Sequence, residues 1–414
     1  MASVVARASA RRPYQHRTSR RFLPELSGPR VSLFNWKVKQ ITTGASARFD
    51  GEKILPIPAL PAATALQPAG LGPEINWQGV ARRLAAHGVT LDLRFTPRRF
   101  AGGLANLNFL VLVNGTWAVL RRPPSGRLPP GAHDMAREHK ILSRLWQALP
   151  LAPRSLHFCD DASVAGAPFH ILEFRPGLII RGDQLIGLPD TPETSRRLAD
   201  LLVDTLVSIH SVDVTAIELD SLGHPEAFVE RTSQRWIERA RLAGTQSASK
   251  SVGAVAKWLQ SKTAGISGAV TLLHNDFKLD NVVLDPRSFS AVGVLDWDMG
   301  TRGDPLLDLA TLLSYWTEPG DPPCMHRLAQ MPTAKPGFPS REAVALAYAR
   351  RTGRSLGKFQ VYRVLTVFKL GVVFHQLHAL YRAGEINDPR YAQFGSLADE
   401  ILEFAVDIAN GRVF

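Results

Sequence analysis

Thr271-Leu-Leu-His-Asn-Asp-Phe-Lys-Leu-Asp-Asn-Val-Val-Leu-Asp285, with Ala291-Val-Gly-Val-Leu-Asp-Trp-Asp-Met-Gly300 just after it, is the stretch on which the reading of this chain turns. Thr271-Leu272-Leu273 leads into a polar loop carrying His274, Asp276 and Asn281, and a second apolar run delivers Asp296. Short apolar runs bounded by polar turns read as strands, so two strands bracket a polar site.

Asp276 and Asn281 stand five apart, the spacing of Asp and Asn in the kinase loop H-R-D-L-x-x-x-N, and Asp296 ends the next hairpin where D-F-G places its aspartate. Phosphoryl transfer needs a carboxylate to accept the proton of the attacking hydroxyl, and oxygen ligands to hold Mg²⁺ against the phosphates. Mg²⁺ is a hard ion that takes a few protein oxygens plus water and phosphate. Asp276 is the candidate base, and Asn281 with Asp296 the candidate metal ligands.

His-Asn-Asp-Phe-Lys-Leu-Asp-Asn followed by Leu-Asp-Trp-Asp-Met-Gly resembles the aminoglycoside phosphotransferase and choline kinase branch of the kinase-like fold. Further motifs are similar to the kinase-like domain of the acyl-CoA dehydrogenase 10/11 type: Gly102-Gly-Leu-Ala-Asn106, Val119-Leu-Arg-Arg-Pro-Pro124, Ala132-His-Asp-Met-Ala-Arg-Glu-His139, Gly303-Asp-Pro-Leu-Leu-Asp-Leu-Ala310 and Leu313-Ser-Tyr-Trp-Thr-Glu-Pro-Gly320. The match runs over roughly residues 75 to 410, and its weight comes from several motifs in order. It implies an α+β, bilobal protein kinase-like fold with a small antiparallel β-sheet N-lobe and a mainly helical C-lobe, using ATP and Mg²⁺ on a small-molecule hydroxyl substrate.

Residue by residue, the resemblance places Gly102, Gly103 and Asn106 in the phosphate-binding loop and Arg121, rather than Arg122, where V-A-I-K has its lysine. Arg can contact phosphates bidentately but is not interchangeable with Lys. Glu138 is implied as the acid that pairs with that base, although by itself it reads as a solvated helix glutamate. Glu173, Phe174 and Arg175 are implied at the hinge beside adenine, and His274 supports the catalytic loop by hydrogen bonding. Lys278 is a candidate contact to the transferring phosphate. Asp298 reads equally as a second metal ligand or a loop acceptor.

Three units follow from the chain order. Residues 1–72, basic and then Pro-rich, read as a disordered leader. Residues 73–175 form the N-lobe, ending at the hinge, and residues 176–414 the helical C-lobe, with the catalytic loop at 271–300. A helix is expected over Ile75–His87, strands over Leu91–Phe95, Asn108–Val113 and Thr116–Arg121, and a hairpin turn at Asn114-Gly115. Ala132–Leu149 reads as one helix, and Thr191 as the N-cap of another with Pro192 in its first turn. Asp304 and Asp308 are read as structural, tying a helix to the catalytic loop. His210 is read as a packing residue, and His375 and His378 lack a third ligand for zinc.

Ten Arg or Lys against Glu25 and Asp50 place +8 of the formal +12 in residues 1–50, leaving +4 over the other 364. So modest a balance argues against nucleic-acid binding by the folded part. Two distant cysteines suggest neither a disulfide framework nor a zinc site, which fits a reducing, cytoplasmic setting. The Arg-rich start leaves organelle targeting as the alternative. No run reaches the 18 or more uncharged apolar residues read as a membrane helix, so no membrane partner is expected.

Asp296-Trp-Asp298 also resembles the D-x-D of haloacid dehalogenase-type phosphatases, but residues 304–414 read as helical and not as an alternating βα array. A nucleotide-binding pseudokinase remains the non-catalytic alternative, with Arg at the lysine position in its favour. The acceptor is open: aminoglycoside or choline from the wider superfamily, hydroxyacyl-CoA or hydroxy acid from the nearer resemblance. ATP against GTP and the oligomeric state are not fixed by sequence.

Overall fold

The computed structural model describes residues 57–61, 65–68, 75–101, 106–124, 133–243, 249–386 and 388–414, and Leu55–Phe414 form one compact unit. Gly102 and Gly103 lie outside the described residues, as do residues 1–56 of the expected leader.

The chain opens with helix α1 (Trp77–Ala85), whose N-cap Asn76 accepts from Gly79 N, and a short strand β1 (Arg98–Arg99). Strands β2 (Leu107–Val113) and β3 (Thr116–Arg122) form the expected hairpin. Asn114 and Gly115 both take positive φ, 50° and 74°, the backbone a tight two-residue hairpin needs. Helix α2 (Met135–Leu142), strand β4 (Ser155–Cys159), the short helix α3 (Ala162–Ala165) and strand β5 (Phe169–Glu173) complete this half. The sheet is antiparallel, in the order β1-β2-β3-β5-β4. Val80 and Leu84 of α1 pack with Phe109, Val111 and Leu120 in a core of their own.

Beyond β5 the chain is mainly helical: α4 (Pro192–His210), α5 (Phe228–Leu242), α6 (Ser249–Thr263), then β6 (Thr271–Leu273), β7 (Val282–Asp285), β8 (Ser290–Val294) and β9 (Thr301–Gly303). Helices α7 (Leu306–Ser314), α8 (Pro323–Leu328), α9 (Arg341–Thr352), α10 (Phe359–Arg382) and α11 (Phe394–Ala409) follow. Thr191 caps α4 by accepting from Thr194 N, with Pro192 in the first turn. Two ribbons, β6 with β9 and β7 with β8, hold the loop between them. The large core joins Leu272, Leu273, Trp297, Leu309 and Leu365 to Ile141 and Leu142 of α2, which fixes α2 against the catalytic loop.

Four expectations change. Leu91–Phe95 is not a strand: Leu91 makes one bridge to Val113, and Asp92 then accepts from Arg94 N in a tight turn that diverts the chain. The helix expected over Ala132–Leu149 begins at Met135, capped by Asp134, and ends at Leu142. There the Ser143 hydroxyl donates to Lys140 O, and a 3-10 turn at Leu145–Gln147 replaces the continuation. The leader is ordered at 65–68, where Leu66 bridges Phe100 and Gln67 N donates to Arg99 O: an extended Pro-rich segment is suited to pair along a sheet edge. Helix α10 is long and apolar enough to cross a membrane by length and composition alone, yet it carries Arg363 and Lys369 and packs against α7 and α11 in the core.

Candidate active site

β6 ends at Leu273, and the next two backbone amides are seized by one carboxylate. Asp308, fully buried near the start of α7, accepts from His274 N at 2.6 Å and from Asn275 N at 2.8 Å. Free N–H groups in the helix's first turn stabilise a carboxylate there. His210 backs it, with Nε2 3.4 Å from Asp308 Oδ2 and Nδ1 2.7 Å from the Tyr348 hydroxyl. Asp304 instead caps its own helix at Leu306 N and accepts from the Tyr362 hydroxyl. The loop is thus clamped from below, and Asn275 adopts φ 67° to leave the clamp.

His274 lies within 2.8 Å of Leu295 O and is the acceptor placed 3.4 Å from Asp276 N, so it ties the two strand ends together. Asn281 Nδ2 donates to Asp276 O at 2.8 Å, and Leu295 N donates to Asn281 O. With its amide nitrogen so committed, Asn281 Oδ1 is the end available to a cation. His375 and His378 play no part: His375 Nε2 lies 2.9 Å from Asp399, and His378 Nδ1 3.1 Å from Tyr391 O.

The Asp276 carboxylate accepts from the Tyr315 hydroxyl at 2.8 Å and from Lys278 Nζ at 2.7 Å. Burial opposes its ionisation, but the Lys278 and Lys369 ammonium groups outweigh burial and hold its pKa below the ordinary value. Asp276 is therefore an anion at neutral pH, as a base must be. Burial raises Asp280 to about 6, against the pull of Lys278. Tyr315 and Lys369 were not singled out from sequence as site residues. Tyr315 stands inside a quoted motif, but nothing in the spacing says that its hydroxyl faces Asp276.

On the β-sheet side, Arg121 at the end of β3 donates from Nε to Glu138 Oε2 at 2.7 Å, contacts Asp296 through Nη2, and lies 3.8 Å from Asp298. Glu138 is fully buried; its other oxygen accepts from Trp297 N at 3.0 Å, and His170 Nε2 lies 3.1 Å away. Burial opposes its ionisation, yet the Arg121 and His170 charges hold it at about 2. The expected Arg121–Glu138 pair is thus brought together, and through Trp297 N it also grips the segment that carries Asp296. Asp296 itself has φ 69°, a conformation unusual outside glycine, fixed by the anchors at Leu295 and Trp297.

Asp298 accepts from Asn106 Nδ2 at 3.1 Å and from His133 N at 3.2 Å, and His133 Nδ1 lies 2.8 Å from Asn106 Oδ1. Burial and the Asp296 charge raise its pKa to about 7. Asn106 therefore reaches the site through Asp298. At the hinge, Phe174 stacks on Phe100 at 6.2 Å, Glu173 accepts from Arg154 N, and Arg175 donates to Ala152 O at 3.0 Å, so the Glu173 and Arg175 side chains tie the hinge to the segment that leads into β4.

Among the described residues no group of three His, Cys, Asp or Glu side chains could hold a metal by itself. Asp296 and Asn281 supply two hard oxygen donors, a set that suits Mg²⁺ when phosphate oxygens and water complete the shell.

A model described as the phosphotransferase enzyme family matches residues 96–345. Acyl-CoA dehydrogenase family member 10 of Mus musculus is 31% identical over 326 residues, covering 76% of this chain and 29% of that protein. The chain spans less than half the length of the curated relatives it matches. A crystal structure described as a putative aminoglycoside phosphotransferase from Ralstonia eutropha superposes with TM-score 0.67 at 22% identity, covering 82% of this chain and 99% of that one. A thermostable aminoglycoside phosphotransferase mutant in ternary complex with AMP-PNP and hygromycin B gives TM-score 0.51 at 15% identity, covering 78% and 98%. The two structural likenesses show the kinase-like bilobal fold.

Proposed function

The chain belongs to the phosphotransferase enzyme family, and from that premise we propose that it transfers the γ-phosphoryl group of Mg·ATP to the hydroxyl of a small molecule. The observation that carries this reading is the Asp276 carboxylate, ionised, positioned by Tyr315 and Lys278, and joined through Asn281 to the segment bearing Asp296. Asp276 accepts the acceptor's proton as the new O–P bond forms and the bond from the γ-phosphorus to the bridging oxygen breaks, with ADP leaving. Arg121, held by Glu138, faces the phosphates, and Lys278 neutralises charge beside the base. Asn281 and Asp296 are the residues to hold Mg²⁺, which supplies charge neutralisation on the phosphate oxygens when bound.

The relatives' name makes hydroxyacyl-CoAs and hydroxy acids the first acceptors to test. Mass spectrometry of hydroxyacyl-CoAs, hydroxy acids, choline and an aminoglycoside, each incubated with Mg·ATP, reads the reaction directly. A phosphoryl mass gain on one class, reduced at least about a hundredfold by Asp276→Asn with nucleotide binding retained, is the expected outcome. No gain on any acceptor, together with no binding of Mg·ATP, would replace this reading.

A further inference from the structure

Beside the catalytic loop lies a cavity of about 400 Å³ whose walls come from distant parts of the chain: α2, α5 and the Leu222–His224 segment before it, Asn275, the Met299–Thr301 segment, α7 and α10. Its charged lining is entirely cationic, with Arg137, Arg231, Arg235, Arg239 and Lys369 and no carboxylate. The rest of the lining includes Phe228, Trp236, Leu307 and Leu365, apolar side chains that are nearly fully buried. A volume of this size is within the ordinary range for a small-molecule site.

Three features tie the cavity to the reaction centre. Asn275, which lines it, is the residue before Asp276. Lys369, half-buried in its wall, donates to Asn275 O at 2.9 Å, and its charge is felt by the Asp276 carboxylate. Arg137 reaches the Asp298 carbonyl at 3.3 Å on the opposite side.

Arg137 is paired with Asp134 at 3.1 Å, but two of the α5 cations have no such partner. Arg231 and Arg235 stand one helical turn apart on α5, and among the described residues neither has a carboxylate within ion-pair distance. Arg231 donates from Nε to Glu226 O and from Nη2 to His224 O, which aims the guanidinium and leaves Nη1 for a ligand. Burial, then the charges of Arg231 and Arg137, push the Arg235 guanidinium below its ordinary range. Arg239 lies over the Trp236 ring at 4.6 Å, and Lys369 Nζ is 5.9 Å from the same ring. Like charges gathered in a partly buried cleft repel one another, and an anion that enters relieves that repulsion while taking charge-assisted hydrogen bonds.

We infer that this cavity is the acceptor site, and that it takes an anionic acceptor: an apolar body that carries the reacting hydroxyl and ends in a phosphate or carboxylate read by Arg231, Arg235 and Arg239. The inference rests on the phosphotransferase reading for its orientation toward Asp276. It disfavours amino sugars and choline, whose positive charge meets five cations and no acid.

The test uses one hydroxyalkyl body with four head groups, phosphate, carboxylate, hydroxyl and ammonium, titrated calorimetrically into the full chain without nucleotide. The expected result is that the phosphate or the carboxylate compound binds at least about tenfold more tightly than the diol or the amino alcohol, the scale of one charge-assisted hydrogen bond. Which of the two anions binds identifies the source of the charge. Arg231→Gln with Arg235→Gln should then weaken that anion at least about tenfold while leaving the circular-dichroism spectrum of the folded chain and Mg·AMP-PNP binding unchanged. Equal binding of all four head groups, preference for the ammonium compound, or an anion affinity untouched by the double variant would each overturn the inference. Because no phosphoryl transfer is measured, anion binding with neither turnover in the mass assay nor binding of Mg·ATP would leave the anion site standing and remove the kinase reading. Turnover of a cationic or neutral acceptor would do the reverse.

Discussion

The two sides of the catalytic loop each gather charged side chains and treat them oppositely. On the sheet side Arg121 meets Glu138, Asp296 and Asp298, so its charge is balanced within the protein. On the α5 side Arg231 and Arg235 face Arg137 and Lys369 across a cavity lined by no acid. A balanced cluster holds its geometry before a ligand arrives, whereas an unbalanced one derives its order and its energy from the ligand. The first suits a group that must be aimed the same way at every turnover; the second suits recognition by charge.

That contrast predicts opposite responses to removing a charge. Arg121→Ala takes from the buried Glu138 its guanidinium partner, leaving His170 and Trp297 N, and should cost about 3–5 kcal/mol in urea unfolding at neutral pH. Arg121→Lys keeps the charge without the forked geometry and should recover part of the loss. A cost below about 1 kcal/mol for Arg121→Ala would mean that the cluster is not the structural unit described. The next effect is a pH slope. Glu138 is held at about 2 against an ordinary 4.5, so its contribution is present above pH 4.5 and is lost as pH falls toward 2. The whole contribution is about 3 kcal/mol, of which about 2 should disappear between pH 5 and pH 3. Glu138→Gln should flatten that part of the stability profile. An unchanged slope would show that the Glu138 charge is not what the sheet side balances.

How much of this was legible in sequence follows the range of the interactions. The spacing of Asp276, Asn281 and Asp296 gave the hairpin and its polar loop, and Asn114-Gly115 gave the sheet's central turn, because both are local. The same locality let Thr191 and Pro192 mark the start of α4. Leu91–Phe95 misled because the apolar pattern of a strand is present, while the Asp92 turn that stops it depends on one side chain choosing its own backbone. The length of α2 was overread for the same reason at Ser143. Asp308 was read as a structural tie to the catalytic loop, and the clamp on His274 N and Asn275 N has that form. The acceptor cavity was illegible because its walls meet only after folding. A local trace did exist: Arg231, Arg235 and Arg239 recur every fourth residue, and like charges at that spacing lie on one helix face.

Tyr315 sits where the two sides meet, and its test separates positioning from structure. Its hydroxyl donates to Asp276 Oδ1, so Tyr315→Phe removes one of two donors to the base. A hydrogen bond to a charged group is worth about 1.5 kcal/mol or more, which translates into roughly a tenfold fall in kcat. KM for Mg·ATP should hold steady, since the sheet side is untouched. A rise in that KM with kcat preserved would place Tyr315 on the nucleotide side instead.

The smallest effect is the most discriminating, because only the unbalanced side can give it its sign. Arg235→Gln removes a cation that has like-charged neighbours and no acid within ion-pair distance among the described residues. In the absence of ligand the variant should therefore be slightly more stable than the parent, by about 0.3–0.5 kcal/mol, the scale of like-charge pairs four apart on a helix. The side chain is exposed, so the gain should shrink toward zero near 1 M salt, where screening acts within about 3 Å. With an anion bound the order should invert, because the parent then gains a charge-assisted contact that the variant lacks. Arg121→Ala has no such inversion available to it, since its partners are fixed carboxylates already in place. A destabilised Arg235→Gln without ligand would mean that Arg235 is matched after all, and the two sides of the loop would no longer differ in kind.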